Sequence, residues 1–244
     1  MRRVFSDLHL RINCRDGTQT LKVAQKAAEL GYKQIATPLA PETRPEQIRQ
    51  LQATFGETGV DFVSRVDLRP RSQADLLSAL RKLRRKFEVI CVLCENKEVA
   101  RQAAKDRRVD LLNFPLLDFK RRFFDFAEAE LASSAQAGFE VDVKPLLVLE
   151  GPARVRLLSS LRREVAVALE YHVPVVACSG VSELLLMRRP REVALLLSLF
   201  GLQGEPALNT VSVNPAALVC RNREKLAEGF VAPGIRVVKQ GADC

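Results

Sequence analysis

Three observations predict an α/β protein with a TIM-like (β/α)8 barrel. Short apolar runs of strand length alternate with runs of helical periodicity from one end of the chain to the other. Eight strand candidates fit within 244 residues, about the usual length of such a barrel. No glycine-rich or low-complexity segment divides the sequence, so we expect a single domain over residues 1–244. A doubly wound open sheet remains the alternative, because alternation alone does not show closure.

The predicted strands are short apolar runs rich in valine, isoleucine and leucine. They lie at residues 4–6, 34–36, 61–66, 89–92, 109–112, 141–143, 175–177 and 211–213. The first intervening helix is expected to end at Gly31, and the second to begin with a capping box of Thr43 and Glu46. The third has Ser72 as its N-cap and an apolar face of Leu76, Leu77, Leu80, Leu83 and Phe87.

Composition indicates an anionic partner. The chain has 38 basic and 29 acidic residues, a net charge of +9 and a pI near 9.5. Such an excess favours nucleic acid, although solubility alone is an alternative explanation. The sequence shows no membrane-spanning run and no N-terminal signal, and its six cysteines are expected to be reduced thiols. We therefore predict a cytoplasmic protein that does not associate with a membrane.

In a barrel, functional side chains gather where the strands end. Polar residues follow most of the predicted strands, and Arg65 and Asp67 share one face because they are two residues apart. The predicted polar cluster at the barrel mouth contains Asp7, His9, Arg65, Asp67, Lys144 and Ser179, with Asn113 and Asn214 at the ends of strands five and eight.

The triplet Asp7-Leu8-His9 is typical of metallohydrolase barrels, which bind metals through several imidazoles and carboxylates. The only other histidine is His172, which precedes strand seven and so lies at the opposite end of the barrel. We therefore predict no catalytic residues and no metal site. A single Mg²⁺ held by Asp7 and Asp67 is the alternative.

Basic clusters are the stronger functional signal. Arg81, Lys82, Arg85 and Lys86 lie opposite the apolar face of the third helix, and residues 76–87 contain no acid. Uncompensated cations on one helix favour phosphate binding, for which arginine is well suited. The further residues predicted to bind RNA are Arg107, Arg108, Lys120, Arg121, Arg122, Arg188, Arg189 and Arg191.

Several short motifs follow one another along the chain: Phe5-Ser6-Asp7-Leu8-His9, Glu29-Leu30-Gly31-Tyr32, Ser179-Gly180, Arg188-Arg189-Pro190-Arg191-Glu192-Val193, Leu199-Phe200-Gly201-Leu202, Asn214-Pro215 and Arg221-Asn222. In this order they resemble the protein component 3 family of ribonuclease P.

The resemblance implies a TIM-barrel-like archaeal subunit of the ribonucleoprotein that removes 5′ leaders from precursor tRNA. In that family the catalytic RNA performs the cleavage with Mg²⁺, and the barrel protein pairs with a small α/β protein subunit. The chain itself is then expected to be non-catalytic and to bind no cofactor. The family is also related to a histidine-rich phosphoesterase barrel, so a stand-alone metal-dependent phosphoesterase using Asp7, His9 and Asp67 is the alternative function. A scaffold whose charge serves only solubility is a third possibility.

Overall fold

Seven parallel strands form one sheet in which each strand is hydrogen-bonded to the next in chain order. The computed structural model describes residues 3–13, 16–115, 122–232 and 235–237. The strands are β1 (Ser6–Asp7), β2 (Gln34–Pro38), β3 (Asp61–Leu68), β4 (Val89–Leu93), β5 (Leu111–Asn113), β6 (Gly138–Asp142) and β7 (Val175–Cys178). This order gives the predicted TIM-like architecture, a nearly closed barrel.

Helices follow the strands and surround the sheet. They are α1 (Gly17–Leu30), α2 (Pro45–Gly56), α3 (Gln73–Leu83), α4 (Lys97–Lys105), α5 (Phe126–Ala135), α6 (Lys144–Val148), α7 (Gly151–Glu170), α8 (Pro190–Leu196), α9 (Gly204–Asn209) and α10 (Val213–Leu226), with 3₁₀ turns at Leu184–Leu186 and Leu197–Phe200. A short antiparallel hairpin of β8 (Phe230–Ala232) and β9 (Ile235–Arg236) follows α10. Among the described residues, none of the helices is long and apolar enough to cross a membrane.

The predicted eighth strand at residues 211–213 is wrong. Residues 210–212 form a turn, and Val213 already begins α10. The turn nevertheless bridges the gap between the first and last strands, because Ser6 N–H donates to the Val211 carbonyl at 2.9 Å and Ala177 N–H to the Thr210 carbonyl at 3.0 Å. Two backbone bonds therefore close the barrel at this point, where a full eighth strand would make more.

At the other end of these strands the barrel closes directly. The Gly180 N–H donates to the His9 carbonyl at 2.9 Å, and the Arg11 N–H donates to the Val181 carbonyl at 2.8 Å. The segments that follow β1 and β7 are thus hydrogen-bonded neighbours. This contact brings His9 beside the loop that carries Ser179.

Local signals account for most helix ends, with one correction. Ser72 caps α3 by accepting a hydrogen bond from the Asp75 N–H at 3.2 Å, and Gly31 ends α1 with φ +96°, both as predicted.

The predicted capping box of Thr43 and Glu46 is displaced by one residue. The Gln47 side chain accepts from the N–H of Arg44, because Pro45 fits the first position of the helix.

Helix α10 covers the amino-terminal end of the barrel. Its Leu218 and Val219 belong to the apolar cluster inside the barrel, together with Val63 and Cys91. Its Asn222 side chain donates to the Glu88 carbonyl at 2.8 Å, just before β4 begins. The interior is therefore apolar and plugged at the amino-terminal end, which leaves the opposite end for polar side chains.

Candidate functional site

Polar side chains fill the barrel where its strands end. In β3, Arg65 and Asp67 are two residues apart and so face the same side of the sheet. In β6, Glu140 and Asp142 have the same spacing, and all four side chains are connected by hydrogen bonds or ion pairs through Arg65 and His9. Two strands therefore supply three carboxylates and one guanidinium to a single buried cluster.

The guanidinium of Arg65 is fully buried and lies at the centre of this cluster. Its Nε donates to Asp67 Oδ1 at 2.6 Å, one Nη donates to the Leu8 carbonyl at 2.7 Å, and both Nη atoms donate to the Glu140 carboxylate. Burial raises the pKa values of Asp67 and Glu140, but the nearby guanidinium outweighs burial and holds both well below their usual range. Arg65 is thus a buried cation neutralised by two ionised carboxylates.

His9 supplies a second buried cation. Its Nδ1 lies 2.8 Å from Asp142 Oδ1 and 3.7 Å from Glu140 Oε2, and its Nε2 lies 3.3 Å from Asp67 Oδ2. Burial and the Arg65 guanidinium lower the pKa of His9, but the carboxylates of Asp142 and Glu140 outweigh them and raise it to about 10. The imidazole is therefore protonated at neutral pH and donates a hydrogen bond to Asp142.

Asp7 connects the first strand to the loop after the last. Its Oδ1 accepts hydrogen bonds from the N–H groups of His9 and Ser179, both at 3.1 Å. Burial raises the pKa of this carboxyl group, although these hydrogen bonds act in the opposite direction. Its Oδ2 has no hydrogen-bond partner among the described residues. Asp7 thus stabilises the closure of the barrel through backbone contacts.

The loop after β7 requires a glycine. Gly180 has φ +63°, a conformation that residues with a side chain rarely adopt. A Cβ atom at this position would lie 2.8 Å from both Cβ and Cγ of Asp142, which is too close for non-bonded carbon atoms. Because it has no side chain, Gly180 lets the loop pass over Asp142 while that residue contacts His9.

Three side chains of the cluster approach the spacing of a metal site. Ligand atoms of His9, Glu140 and Asp142 lie within 4.8 Å of one another, which is compatible with a divalent cation. However, both oxygens of Glu140 bind Arg65, and Nδ1 of His9 carries the proton shared with Asp142. A protonated imidazole has no lone pair for a metal. These residues do not fit an open metal centre, because the Arg65 guanidinium already supplies the positive charge.

Other predicted members of the cluster are distributed differently. Asn113 joins it, since its amide donates to Glu140 at 2.8 Å and to Asp142 at 3.3 Å. Lys144 does not, because its Nζ donates to the Ser182 hydroxyl at 2.7 Å near the surface. Asn214 lies on α10 and donates to the Val175 carbonyl at 2.8 Å, at the amino-terminal end of β7. It therefore belongs to the opposite end of the barrel.

Glu140 and Asp142 are not among the residues predicted from the sequence for this cluster. Strand six was predicted to begin at residue 141, whereas β6 spans Gly138–Asp142. The two-residue spacing that identified Arg65 and Asp67 is repeated here and would have identified this pair. Without these two carboxylates, Asp7 and Asp67 were the only acids predicted beside His9 and Arg65.

The basic surface begins at the end of α3, which stops at Leu83 rather than continuing to Phe87. Arg81, Lys82 and Arg85 are exposed, and none of them is ion-paired with a carboxylate in the described part of the chain. Lys86 is half-buried, with its Nζ donating to the Pro41 carbonyl and lying 5.5 Å from the centre of the Phe87 ring. The first three cations are therefore the ones available to a phosphate.

A second part of the basic surface lies between α4 and β5. Arg107 is exposed and pairs with no described carboxylate. Arg108 is half-buried, and its Nε and Nη2 donate to the two oxygens of Asp106 at 2.9 and 2.7 Å. Of this predicted pair, only Arg107 presents an uncompensated charge.

The prediction for Arg122 needs correction. Its side chain is buried, and its guanidinium forms an ion pair with Glu164 and also donates to the Pro115 carbonyl at 3.1 Å. It therefore contributes to the interior between β5 and α7 and is not available to RNA. Lys120 and Arg121 lie outside the described residues.

A third part of the basic surface lies at the start of α8. Arg189 and Arg191 are exposed and have no ion pair with a described carboxylate. Arg188 is half-buried and donates to the carbonyls of Leu185 and Met187 at 3.0 and 3.1 Å. The exposed predicted cations thus form three groups around the barrel: Arg81, Lys82 and Arg85; Arg107; and Arg189 and Arg191.

The chain is similar in sequence to ribonuclease P proteins over nearly its whole length. Residues 4–227 match the family described as RNase P subunit p30. Ribonuclease P protein component 3 from Methanosarcina barkeri is 30% identical over 227 residues, covering 93% of this chain and 92% of the relative. The protein of the same name from Methanothermobacter thermautotrophicus is 23% identical over 241 residues, covering 97% and 96%.

Two solved structures show related folds. A chain in the cryo-EM structure of archaeal ribonuclease P with mature tRNA superimposes with a TM-score of 0.82 at 21% identity, covering 98% of this chain and 100% of that chain. Aspergillus niger ochratoxinase superimposes with a TM-score of 0.60 at 10% identity, covering 88% and 71%. At these identities the structural matches establish the TIM-like barrel.

Proposed function

The chain belongs to the RNase P subunit p30 family and is a protein subunit of ribonuclease P, and on this basis we propose how it acts there. It is a non-catalytic subunit that binds the catalytic RNA through exposed cations and supports the folded RNA. The RNA, with Mg²⁺, carries out removal of the 5′ leader from precursor tRNA. The barrel protein requires no cofactor of its own for this role.

The observation that carries the proposal is the difference between the buried and the exposed cations. Arg65 and His9 are ion-paired with carboxylates inside the barrel. Arg81, Lys82 and Arg85 are exposed and have no carboxylate partner among the described residues. Unpaired surface cations bind phosphate and release counterions, whereas the buried cations are already neutralised by carboxylates.

Several further observations support the proposed partners. The relatives are named as ribonuclease P proteins, and the archaeal ribonuclease P structure that superimposes on this chain contains mature tRNA. Large exposed apolar side chains support docking of the small α/β protein subunit, since Leu185 is 89% exposed and Leu195 is 70% exposed. We therefore infer an assembly of this chain with catalytic RNA, precursor tRNA and that small subunit.

We place the assembly in the cytoplasm. The described cysteines Cys91, Cys94, Cys178 and Cys220 are all free thiols, and the first three are buried. Free thiols are typical of proteins in a reducing compartment.

Reconstitution tests the proposal. Catalytic RNA is assayed on precursor tRNA over a range of Mg²⁺ concentrations, alone and with this chain and the small subunit. We expect cleavage at lower Mg²⁺ in the presence of the proteins, and no cleavage by the proteins without RNA. Cleavage by this chain free of RNA would instead support the metal-dependent phosphoesterase. An unchanged Mg²⁺ requirement would contradict a supporting role.

A further inference from the structure

A cluster of cations surrounds one buried carboxylate at the amino-terminal end of the barrel. The carboxylate belongs to Asp110, immediately before β5. Its Oδ2 accepts hydrogen bonds from Arg84 and from the Ile90 N–H, and its Oδ1 lies 3.3 Å from Nη2 of Arg221 on α10. Both oxygens are therefore occupied, and two guanidinium groups share a single negative charge.

Backbone carbonyls fix these two guanidinium groups in place. Arg84 donates to the carbonyls of Arg108, Phe87 and Glu88 at 3.1, 2.8 and 2.8 Å. Arg221 donates to the Gln136 carbonyl at 2.8 Å. A guanidinium held by several carbonyls keeps its charge in one position, so this part of the surface is rigid before any ligand binds.

Two more cations lie near the guanidinium groups of Arg84 and Arg221 and have no ion-pair partner among the described residues. Arg107 and Lys225 are exposed, and neither forms an ion pair with a described carboxylate. Partial burial and then the charges of Arg221, Arg84 and Arg107 lower the pKa of Lys225, although Asp110 acts in the opposite direction. Lys225 lies four residues after Arg221 on α10, so the two side chains share one face of the helix, and Arg107 lies three residues before Asp110. Four cations surround one carboxylate here, a local excess of three positive charges.

We propose that Arg107 and Lys225, backed by the fixed guanidinium groups of Arg84 and Arg221, bind phosphodiester groups of RNA at the amino-terminal end of the barrel. This inference rests on the proposed function and specifies where the RNA binds. Phosphate bound by Arg107 and Lys225 relieves the repulsion among the clustered cations, and the two fixed guanidinium groups add their positive charge beside it. Asp110 is a positioning residue, because it holds the two arginines that face the ligand.

The location has a consequence for the orientation of the subunit. Arg84 directly follows the end of α3, so the exposed Arg81, Lys82 and Arg85 are continuous with this cluster along the chain. The RNA then contacts the end of the barrel opposite Arg65 and His9. Enzymes with this fold act at the carboxyl-terminal ends of the strands, whereas this subunit binds RNA at the amino-terminal ends.

The test compares the wild-type chain with the double variant Arg107→Ala, Lys225→Ala in filter binding to ribonuclease P catalytic RNA over a range of KCl concentrations. We expect a decrease in affinity of roughly tenfold, and a decrease in the slope of log K against log [KCl] of about 1.4–1.8, since each neutralised phosphate contributes about 0.7–0.9 to the slope. The control is Arg11→Ala, Lys22→Ala, which removes two exposed cations from the β1 and α1 regions of the chain. It should keep its affinity within about twofold.

A second measurement needs no variant and so does not depend on folding. The rate at which an amine-reactive reagent acylates Lys225 in the wild-type chain is measured with and without the RNA, with Lys22 as the internal reference. Protection of Lys225 but not of Lys22 supports the inference. Equal acylation in both states, with unchanged binding by the double variant, overturns it.

Different results would contradict the proposed function and the inference about Arg107 and Lys225. If the wild-type chain shows no salt-dependent RNA binding, the proposed function itself is contradicted. If the wild-type chain binds and alanine at Arg81, Lys82 and Arg85 weakens binding while the Arg107 and Lys225 variant does not, only the inference about Arg107 and Lys225 is overturned.

Discussion

Arg65 on β3 and Glu140 on β6 form a two-bond ion pair across the inside of the barrel. Neither side chain is accessible to solvent. The pair occupies the position in which a barrel enzyme would place reacting groups, and it connects strands that are not neighbours in the sheet. The Arg65–Glu140 ion pair, which leaves no room for an open metal centre, thus also connects β3 with β6 across the barrel.

The first prediction concerns this pair. Glu140→Gln leaves the Arg65 guanidinium buried with a neutral partner, and we expect the free energy of unfolding to fall by about 3–5 kcal/mol. Urea unfolding followed by circular dichroism measures the change. Glu130→Gln on the exposed side of α5 is the matched control and should cost less than about 0.5 kcal/mol. Equal effects of the two substitutions would show that the ion pair does not stabilise the barrel.

The second prediction concerns pH. The pKa of His9 is raised from 6.5 to about 10 in the folded protein, so the folded state holds a proton that the unfolded state releases above pH 6.5. The contribution of His9 to stability is therefore complete below pH 6.5 and is lost as the pH rises towards 10. We expect the unfolding free energy of the wild-type chain to fall between these values by up to about 1.4 kcal/mol per pH unit more than that of His9→Gln. Parallel curves for the two proteins would contradict a protonated His9.

The third prediction concerns Gly180. Gly180→Ala forces a side chain into a left-handed conformation and against Asp142, so we expect a loss of at least about 2 kcal/mol and a fall in Tm of more than about 4 °C. Gly56→Ala is the control, because a Cβ there meets no atom within 4 Å. Its Tm should stay the same or rise slightly. A Gly180→Ala protein as stable as the control would show that the loop does not require glycine.

The fourth prediction concerns the end of α3. Alanine at Arg81, Lys82 and Arg85 removes three unpaired cations, and the slope of log K against log [KCl] for catalytic RNA should decrease by about 0.7–0.9 for each phosphate that is no longer neutralised. Filter binding measures the slope. Lys86 is left unchanged, since it contacts the Pro41 carbonyl and the Phe87 ring and its removal would also affect packing. The charge-matched control replaces Arg11, Lys22 and Arg49. A slope equal to the wild-type value would remove this segment from the interface.

Local patterns predicted much of the fold. Alternating strand and helix signals gave the barrel, Ser72 and Gly31 marked helix ends, and the spacing of Arg65 and Asp67 placed both on one face. The prediction of an eighth strand was wrong because residues 210–212 make only one backbone hydrogen bond to β1 and one to β7 before α10 begins. A valine-rich run alone does not distinguish such a bridging turn from a strand.

Long-range pairing could not be predicted from the sequence. Arg122 has the same appearance in the sequence as its basic neighbours, yet its partner Glu164 lies 42 residues later. Arg84 likewise depends on Asp110, 26 residues away, for its ion pair. Which cations remain free for RNA is therefore decided by tertiary structure, because each pairing requires both residues to be placed in three dimensions.

One comparison within the reconstituted enzyme tests the central claim most directly. Ribonuclease P is assembled with the His9→Gln chain, or with alanine at Arg81, Lys82 and Arg85, and kcat/KM is measured on precursor tRNA at limiting Mg²⁺ after circular dichroism has shown that both chains are folded. We predict that the His9→Gln enzyme keeps wild-type kcat/KM, whereas the enzyme without the three surface cations has a kcat/KM roughly tenfold lower. Loss of cleavage with His9→Gln, together with normal cleavage by the surface variant, would show that the subunit acts through its barrel mouth.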